Sequence, residues 1–407
     1  MKITIKKNFL SDHKIFLLVL LALIIRLAIA AFFFGSWDTE SVYVIADLFK
    51  KGSFIYNDTW RFNNPPVWIW LIGILAFIAD KTGIPLSFWA KTPFILADFG
   101  VAFLIYKLSQ KLTSNKNTPV KLSLIYLFSP VSLWVSAYQG QLESLMLFLV
   151  LLSVWFLTKD QENNFKSIVK SSLALGMATT IKLVPLGLIP VFLIYLLKKF
   201  LKEKESAFRI LGKLGIFGIL GVLPVILVFI PYLSVWENGI IPHVIGYKTA
   251  WGIWGPSLLL RNVLEYFKTP NWFLDLVSLF KNQTLTVGMV SIISYLIIFW
   301  RNYSLLTSVF LMFLAITVFS PFLAPQYLLW VVPFWLLQRQ NLRFFILYNF
   351  LTIISFFLLF TIWQMPEIFA FWSRIFAVES KNLQLIPYSI VTILAWILVL
   401  VKFFKTL

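Results

Sequence analysis

Apolar runs long enough to cross a lipid bilayer recur along the whole chain, and short basic loops separate them. Of its 407 residues, 60% are hydrophobic and only 13% are charged, and the mean hydropathy is +0.86. A water-soluble core cannot hide that much apolar surface. The sequence therefore predicts an all-α polytopic membrane protein.

The basic residues of the chain are best explained by membrane topology. The formal charge of +18 could indicate a nucleic-acid partner, but the lysines and arginines lie in short loops and form no basic domain. Cytoplasmic loops carry an excess of Lys and Arg, so we expect a lipid bilayer as partner and no nucleic acid. The first run, 15–34, is as long as a full span and lacks a small-residue cleavage site, so it is interpreted as a retained helix.

The absence of cysteine excludes disulfides and thiolate metal sites. The two histidines, His13 and His243, are predicted on opposite sides of the membrane, which excludes a histidine-based metal cluster.

The lysines at 107–121 decide the topology. If the apolar segment 66–79 crossed the membrane, these lysines would lie outside, against the positive-inside rule. A helix of about 14 residues covers only about 21 Å of a hydrocarbon core about 30 Å thick, so we predict that this segment stays in the outer leaflet. Twelve spans with both ends inside then follow: 15–34, 88–108, 121–138, 141–157, 171–182, 184–198, 211–233, 286–300, 304–319, 326–338, 344–364 and 386–402.

The chain is interpreted as one integral-membrane domain, 1–407, with two large outer loops. The first, 35–90, is predicted to carry interfacial helices, and the second is 234–285. Within the first loop, "VYVIADLF" at 42–49 places Val42, Ile45, Leu48 and Phe49 on one helical face. That pattern is typical of an amphipathic helix lying on the membrane surface.

Two acidic residues spaced as Asp-x-Glu, Asp38 and Glu40, follow directly after the first span. The simpler interpretation is that Asp38 caps the interfacial helix and Glu40 complements its dipole. The alternative is that a carboxylate at the mouth of a membrane cavity acts as a general base on a hydroxyl, with its neighbour orienting it or raising its pKa.

Other polar and basic residues are predicted at the same depth on the same outer face, where contact with lipid would be costly. Lys182 is singled out because it interrupts a run too long for one span, and a lysine at such a helix break points toward a cavity. Asp98 lies midway along a span and is interpreted as either a functional or a helix-pairing group. The outer-face set comprises Asn63, Asn64, Gln139, Gln141, Glu143, Lys182, His243, Lys248, Arg261, Gln326 and Tyr327.

Several stretches resemble, in order, the GT-C superfamily of polyprenyl-phosphate-sugar-dependent glycosyltransferases, especially the endoplasmic-reticulum enzymes that add glucose or mannose to lipid-linked glycans and the catalytic subunit of GPI mannosyltransferase I. "WDTESV" is similar to the Asp-x-Asp or Asp-x-Glu of their first loop, and "NNPPVWIW" to their Tyr-Pro-Pro segment. "ILADFG", "SPVSLWVSAYQGQLES", "IKLVPLGLIP" and "APQYLLWVVP" follow in the order expected. The loop "QGQLE" lacks the histidines of the glucosyltransferase pattern, and "NNPP" lacks the tyrosine.

The resemblance implies a GT-C fold, Asp38 as general base with Glu40 as its partner, a sugar donor carried on a polyprenyl phosphate, and inversion at the anomeric carbon. Some families of this superfamily use a divalent ion, so Mg²⁺ or Mn²⁺ held by Asp38 and Glu40 stays open. Residues predicted to bind the donor or its phosphate are Lys182, Lys248, Arg261, Gln326 and Tyr327. Residues predicted to bind the acceptor or line the cavity are Asn64, Gln139, Gln141, Glu143 and Asp98.

The expected function is transfer of a hexose, mannose or glucose, to a hydroxyl of a lipid-linked glycan, glycolipid or other cell-envelope acceptor. We expect the protein in the plasma membrane of a prokaryote with its active site on the outer face. One alternative is a polyprenyl-linked glycan flippase or other transporter, which predicts inverted repeats and a site near the midplane. The other is a glycan polymerase or ligase, which usually relies on paired arginines in its large outer loop, whereas 234–285 holds only Arg261.

Overall fold

The computed structural model describes residues 6–159, 165–338, 342–364 and 381–407. These residues form helices and loops and contain no β-sheet. The α-helices are α1 Lys6–Phe32, α2 Trp37–Lys50, α3 Ile55–Asp58, α4 Val67–Thr82, α5 Leu86–Leu112, α6 Asn117–Leu127, α7 Pro130–Ser132, α8 Glu143–Thr158, α9 Phe165–Ile181, α10 Ile189–Lys202, α11 Ala207–Phe229, α12 Gly255–Tyr266, α13 Asn271–Lys281, α14 Gln283–Trp300, α15 Leu305–Phe319, α16 Val332–Leu337, α17 Leu342–Gln364 and α18 Lys381–Thr406.

Tighter and wider helical turns interrupt this regular pattern near the outer loops. Three are 3₁₀ segments, Val184–Leu188, Ile230–Val235 and Pro325–Leu329, and two are π-helices, Leu133–Tyr138 and Trp236–Ile245. Such segments often mark functional sites because they re-aim side chains without ending the helix.

Seven helical segments in the described part of the chain are long and apolar enough to cross a membrane. They are His13–Phe32, Leu86–Leu112, Val184–Lys202, Ala207–Ile245, Gln283–Trp300, Leu342–Phe360 and Pro387–Thr406. An eighth is added if Asn117–Leu127 and Pro130–Tyr138, bent by 42°, form one span. The membrane class is thus confirmed, while the count of twelve stays a prediction. The four predicted spans not matched in this way fall on shorter helical segments of at most 17 residues. These are α8, α9, α15 and Pro325–Leu329 together with α16.

Hydroxyl groups and glycines join the membrane helices where they pack most closely. Helix α9 packs between α8 and α11. Ser153 and Ser171 bond across α8 and α9 with 2.8 Å between their hydroxyl oxygens, and Ser172 donates to the Phe217 carbonyl of α11. A Cβ on Gly176 would lie 2.6 Å from the Leu220 carbonyl oxygen, so only glycine permits this approach. Small and hydroxyl-bearing residues commonly form such contacts between membrane helices.

A fully buried ion pair fastens α1 to α5. Arg26 Nε lies 3.2 Å from Asp98 Oδ2, and neither side chain has exposed surface. Tyr126 donates to Asp98 Oδ1 at 2.7 Å and Ser136 to Oδ2 at 2.6 Å, while Arg26 Nη1 donates to the Leu127 carbonyl at 2.6 Å. Of the two interpretations of Asp98, these contacts favour helix pairing, because all its partners belong to packed helices.

The segment predicted to form the first outer loop, 35–90, contains α2, α3 and α4. The amphipathic pattern predicts that the apolar face of α2 lies on the membrane surface, but Val42 and Ile45 are buried within the protein, because α2 packs against α4 and α5. Ser36 is the N-cap of α2, because its hydroxyl accepts a hydrogen bond from the Asp38 N–H at 3.4 Å. The interpretation of Asp38 as the cap is therefore wrong: Asp38 lies inside the first turn, where its carboxylate is free to face elsewhere.

Candidate active site

One cavity of about 390 Å³ gathers most of the polar residues predicted for the outer face. Its polar lining residues include Asp38, Ser41, Arg61, Asn63, Asn64, Gln141, Lys182, Tyr247, Thr249, Gln283, Ser291, Ser320, Gln326 and Tyr327. Apolar walls are added by Val42, Ile45, Phe62, Trp68, Val244, Val287, Met312, Ile316, Phe322, Leu323 and Trp330, among others. A volume of this size is typical of small-molecule sites.

Asp38 is held at this cavity from two sides. Gln141 Nε2 donates to Asp38 Oδ2 at 2.6 Å, and Ser36 Oγ lies 3.4 Å from the same oxygen. Gln141 reaches this position because Gly140, at φ 69°, turns the chain sharply after the π-helix. Gly35, at φ 108°, brings the start of α2 beside that helix, where a Cβ would lie 2.5 Å from the Tyr138 carbonyl oxygen.

The surroundings of Asp38 favour its protonated form more than water does. Its side chain is exposed to the cavity, but protein encloses it on the other sides. This desolvation raises the pKa of Asp38 above its ordinary value, and the charge of Glu143 raises it further. The hydrogen bonds from Ser36 and Gln141 and the charge of Lys182 oppose the shift. A carboxyl group with a raised pKa in a cavity is a candidate for proton transfer.

Lys182 lines the same cavity as Asp38, and its ammonium contacts a carboxylate and an aromatic ring. As predicted, the chain breaks here, because α9 ends at Ile181 and a 3₁₀ turn follows. Lys182 Nζ is paired with Glu143 Oε1, and Glu143 is fully buried as the first residue of α8. The ammonium also lies 4.1 Å from the centroid of the Tyr327 ring, which stacks on Trp330. The other oxygen of Glu143, Oε2, has no hydrogen-bond partner among the described residues.

The structure separates the remaining predicted residues into two groups. Asn64, Gln326 and Tyr327 line the cavity together with Asp38, Gln141 and Lys182. Other predicted residues are outside this lining: Glu40, Asp98, Gln139, Glu143, His243, Lys248 and Arg261.

The residues outside the lining have other contacts. Glu40 pairs with Arg61 at 3.3 Å and so is not placed as the partner of Asp38. Arg261 pairs with Glu265 at 3.6 Å, and Lys248 lies 5.7 Å from the Phe322 ring centroid. Gln139 is buried.

Arg61 and Tyr247 are lining residues that the sequence reasoning missed. Arg61 is preceded by an exposed tryptophan in a loop with no periodic pattern, and a charged residue beside a tryptophan was the only available signal. Tyr247 follows a long π-helix, and desolvation of its hydroxyl in the cavity wall raises its pKa to about 12, so it stays protonated and able to donate a hydrogen bond.

The donor set of the cavity does not fit a divalent cation. Within the described residues, no group of three His, Cys, Asp or Glu side chains could hold an ion. Glu40 is paired with Arg61 and Glu143 with Lys182, which leaves Asp38 as a single carboxylate. Mg²⁺ and Mn²⁺ prefer several oxygen ligands, so we derive no step through a metal.

Sequence comparisons relate parts of the chain to two proteins with GPI in their names. A family model described as GPI transamidase subunit PIG-U matches residues 39–240. GPI mannosyltransferase 1 of the yeast Debaryomyces hansenii is 27% identical over 201 residues. That match covers 44% of this chain, and the chain spans only 44% of the length of this relative.

Structural comparison covers nearly the whole chain. The crystal structure of ArnT from Cupriavidus metallidurans bound to undecaprenyl phosphate superposes with a TM-score of 0.52 over 97% of this chain and 78% of ArnT, at 12% identity. The chain has a GT-C fold. The apo form of the same ArnT gives a TM-score of 0.50 at 13% identity, over the same shares. The predicted resemblance to membrane glycosyltransferases is thereby confirmed.

Proposed function

We propose that this protein is an inverting glycosyltransferase that moves a hexose from a polyprenyl phosphate to a hydroxyl of a lipid-linked glycan, glycolipid or other cell-envelope acceptor. The observation that carries the proposal is one cavity, in a GT-C fold, that holds a carboxylate with a raised pKa beside a lysine. The acceptor hydroxyl oxygen bonds to the anomeric carbon as the bond from that carbon to the phosphate oxygen breaks. Asp38 takes the hydroxyl proton, and the polyprenyl phosphate leaves as an anion.

The contacts of Asp38 support its role as the base. Gln141 and Ser36 fix one carboxylate oxygen, so the other is free to face an acceptor. A positioned base contributes typically 10²–10⁴-fold to the rate, provided that it is ionised. A raised pKa lies closer to neutral pH, and a general base is most efficient when its pKa is near the pH at which the enzyme works.

Lys182 supports the donor side of the reaction. Its ammonium is held between the Glu143 carboxylate and the Tyr327 ring, where low polarity strengthens its attraction for a phosphate. The apolar walls of the cavity suit an isoprenoid chain, and ArnT has been crystallised with undecaprenyl phosphate. Gln326 and Tyr327 supply further polar groups, while Lys248 and Arg261 are not retained as phosphate ligands because neither is among the residues that line the cavity.

We place the reaction at the outer face of a prokaryotic plasma membrane, with mannose as the first sugar to test. Outside the cell there is no nucleotide-sugar pool, so a donor delivered by lipid is required. The match to GPI mannosyltransferase 1 supports mannose, while the departures in "QGQLE" and "NNPP" leave glucose as an alternative.

A second candidate is a subunit of a larger membrane complex, favoured by the match to the family model described as GPI transamidase subunit PIG-U. A transporter or a polymerase has less support, because the polar residues cluster in one cavity and the large outer loop holds a single arginine.

The test is an assay of purified protein in vesicles with labelled mannosyl and glucosyl polyprenyl phosphates and extracted envelope lipids. Transfer of label to a lipid or glycan, lost in Asp38→Asn, would support the proposal. Well-folded protein that transfers no label from either donor would favour the subunit instead.

A further inference from the structure

Two exposed tryptophans flank an ion pair at the rim of the cavity. We name Trp37, Glu40, Trp60 and Arg61 the rim cluster. The Arg61 guanidinium lies 5.3 Å from the Trp37 ring centroid and 5.8 Å from that of Trp60, and its Nη1 lies 3.3 Å from Glu40 Oε2. Trp37 is 57% exposed and Trp60 67%. Both indole rings therefore contact the Arg61 guanidinium and still expose more than half of their residue surface to solvent.

Local structure explains why these four side chains meet. Trp37 and Glu40 are three residues apart on α2, so they share one face of the helix. Arg61 is fixed by a turn in which the Thr59 hydroxyl accepts from its backbone N–H at 3.1 Å. Cation–π contact and ion pairing hold the guanidinium in a single position between the two rings.

The rim cluster is continuous with the candidate active site. Arg61 lines the same cavity as Asp38, and Trp37 and Asp38 are adjacent in the first turn of α2. A molecule that contacts Arg61 at the rim can therefore extend into the cavity that Asp38 lines.

We propose that the rim cluster binds a pyranose ring of the acceptor and delivers its hydroxyl to Asp38. This inference rests on the proposed function. The C–H face of a pyranose is apolar and fits a flat indole, while its hydroxyls need both donors and acceptors at the ring edge. Arg61 supplies donors and Glu40 supplies acceptors, so the cluster carries each group that a neutral sugar requires. Through its ion pair with Arg61, Glu40 also holds the guanidinium in place.

The competing explanation is that both tryptophans anchor the protein at the membrane–water interface, where Trp is enriched. Trp272 of α13 provides a matched control, because it is also 67% exposed and lies in the second outer loop. Anchoring predicts the same effect for Trp60→Ala and Trp272→Ala. Sugar binding predicts an effect for Trp60→Ala alone.

The first experiment measures binding without turnover. The full chain in nanodiscs is mixed with methyl α-mannopyranoside or methyl α-glucopyranoside, and saturation transfer to the sugar C–H protons is recorded by NMR. We expect a signal for at least one of the two that is lost in Trp60→Ala and retained in Trp272→Ala. No signal with either sugar for the wild type, or equal signals in all variants, would overturn the proposal.

The second experiment uses transfer kinetics. Trp60→Ala should raise KM for the acceptor about tenfold, equivalent to about 1.4 kcal/mol of binding, and leave KM for the donor unchanged. Glu40→Gln should have a smaller effect in the same direction, because Arg61 keeps its aromatic contacts. A rise in KM for the donor instead would assign the cluster to the donor and contradict the proposal. If no transfer is detected at all while sugar binding persists, the proposed function fails and the sugar site stands.

Discussion

Asp38 receives opposing influences from its neighbours, and this balance decides when it can act as a base. The serine cap removes helix capping as a reason for an acid at this position. Asp38→Asn should therefore leave folding intact and lower the rate of the chemical step by roughly 10²–10⁴-fold, because an amide cannot accept the proton. Asp47→Asn is the control, since Asp47 lies on the same helix but is exposed and paired with Lys51. Full transfer by well-folded Asp38→Asn would remove the base from the mechanism.

The effects of two neighbours on the pKa of Asp38 should be distinguishable in the pH dependence of the transfer rate. Protonated Asp38 is inactive, so the rate should rise with pH through its raised pKa. Glu143→Gln removes a charge that raises this pKa, so the acid limb should move to lower pH. Gln141→Ala removes a hydrogen bond that lowers it, so the limb should move to higher pH. Rate profiles of the two variants that move in the same direction would show that another group controls the limb.

Lys182 should matter through the donor phosphate. Lys182→Met in a Glu143→Gln background avoids leaving a buried carboxylate unpaired, and its transfer rate should fall well below that of Glu143→Gln alone. Lys166→Met, on the exposed surface near the start of α9, should leave the transfer rate unchanged. Equal transfer rates for the double variant and Glu143→Gln, measured at matched protein levels, would identify Lys182 as a packing residue.

At the scale of helices, the sequence predicts well where the helical segments lie along the chain, but it predicts poorly which side chains pair between them. Each of the twelve predicted spans falls on a described helical segment, because length and apolarity are local properties. Side-chain pairing depends on which helices become neighbours, and neither the assignment of Glu40 to Arg61 nor that of Glu143 to Lys182 could be predicted from spacing. The sequence assigns Lys248 and Arg261 to the donor site only because it predicts them on the same face of the membrane. In the structure they do not line the cavity; Arg261 pairs with Glu265, and Lys248 lies near the Phe322 ring.

The buried pair that joins α1 and α5 should be important for stability. Asp98→Ala leaves Arg26 without its carboxylate in an apolar interior, which typically costs about 3–5 kcal/mol. Adding Arg26→Leu should restore part of that loss, because no buried charge remains. Asp80→Ala, which breaks an exposed pair with Lys50, should cost no more than about 1 kcal/mol. Thermal unfolding in detergent would rank the variants, and equal costs for Asp98→Ala and Asp80→Ala would show that the buried pair contributes little.

At the scale of the whole molecule, α8 relates the cavity to the topology. It begins at Glu143, beside Lys182, and ends at Thr158, whose carbonyl accepts from Lys111 at the far end of α5. The cavity and these basic ends therefore lie at opposite ends of α8. Since basic loops face the cytoplasm, the cavity is predicted on the outer side, provided that α4 does not cross the membrane.

The lysines at 107–121, more than length, argue that α4 stays on one side, because the predicted span α8 has the same 16 residues. The 16 residues of α4 extend about 24 Å, shorter than a hydrocarbon core of about 30 Å. The chain has no cysteine, so single cysteines can be introduced before α4 (Lys51→Cys), after it (Lys81→Cys) and beyond α5 (Ser114→Cys). With a membrane-impermeant thiol reagent, the first two should be labelled from outside and the third from inside. Labelling of Lys51→Cys and Lys81→Cys from opposite sides would mean that α4 crosses. In that case the lysines at 107–121 would lie outside, and the side of the membrane on which the cavity opens would have to be assigned by other means.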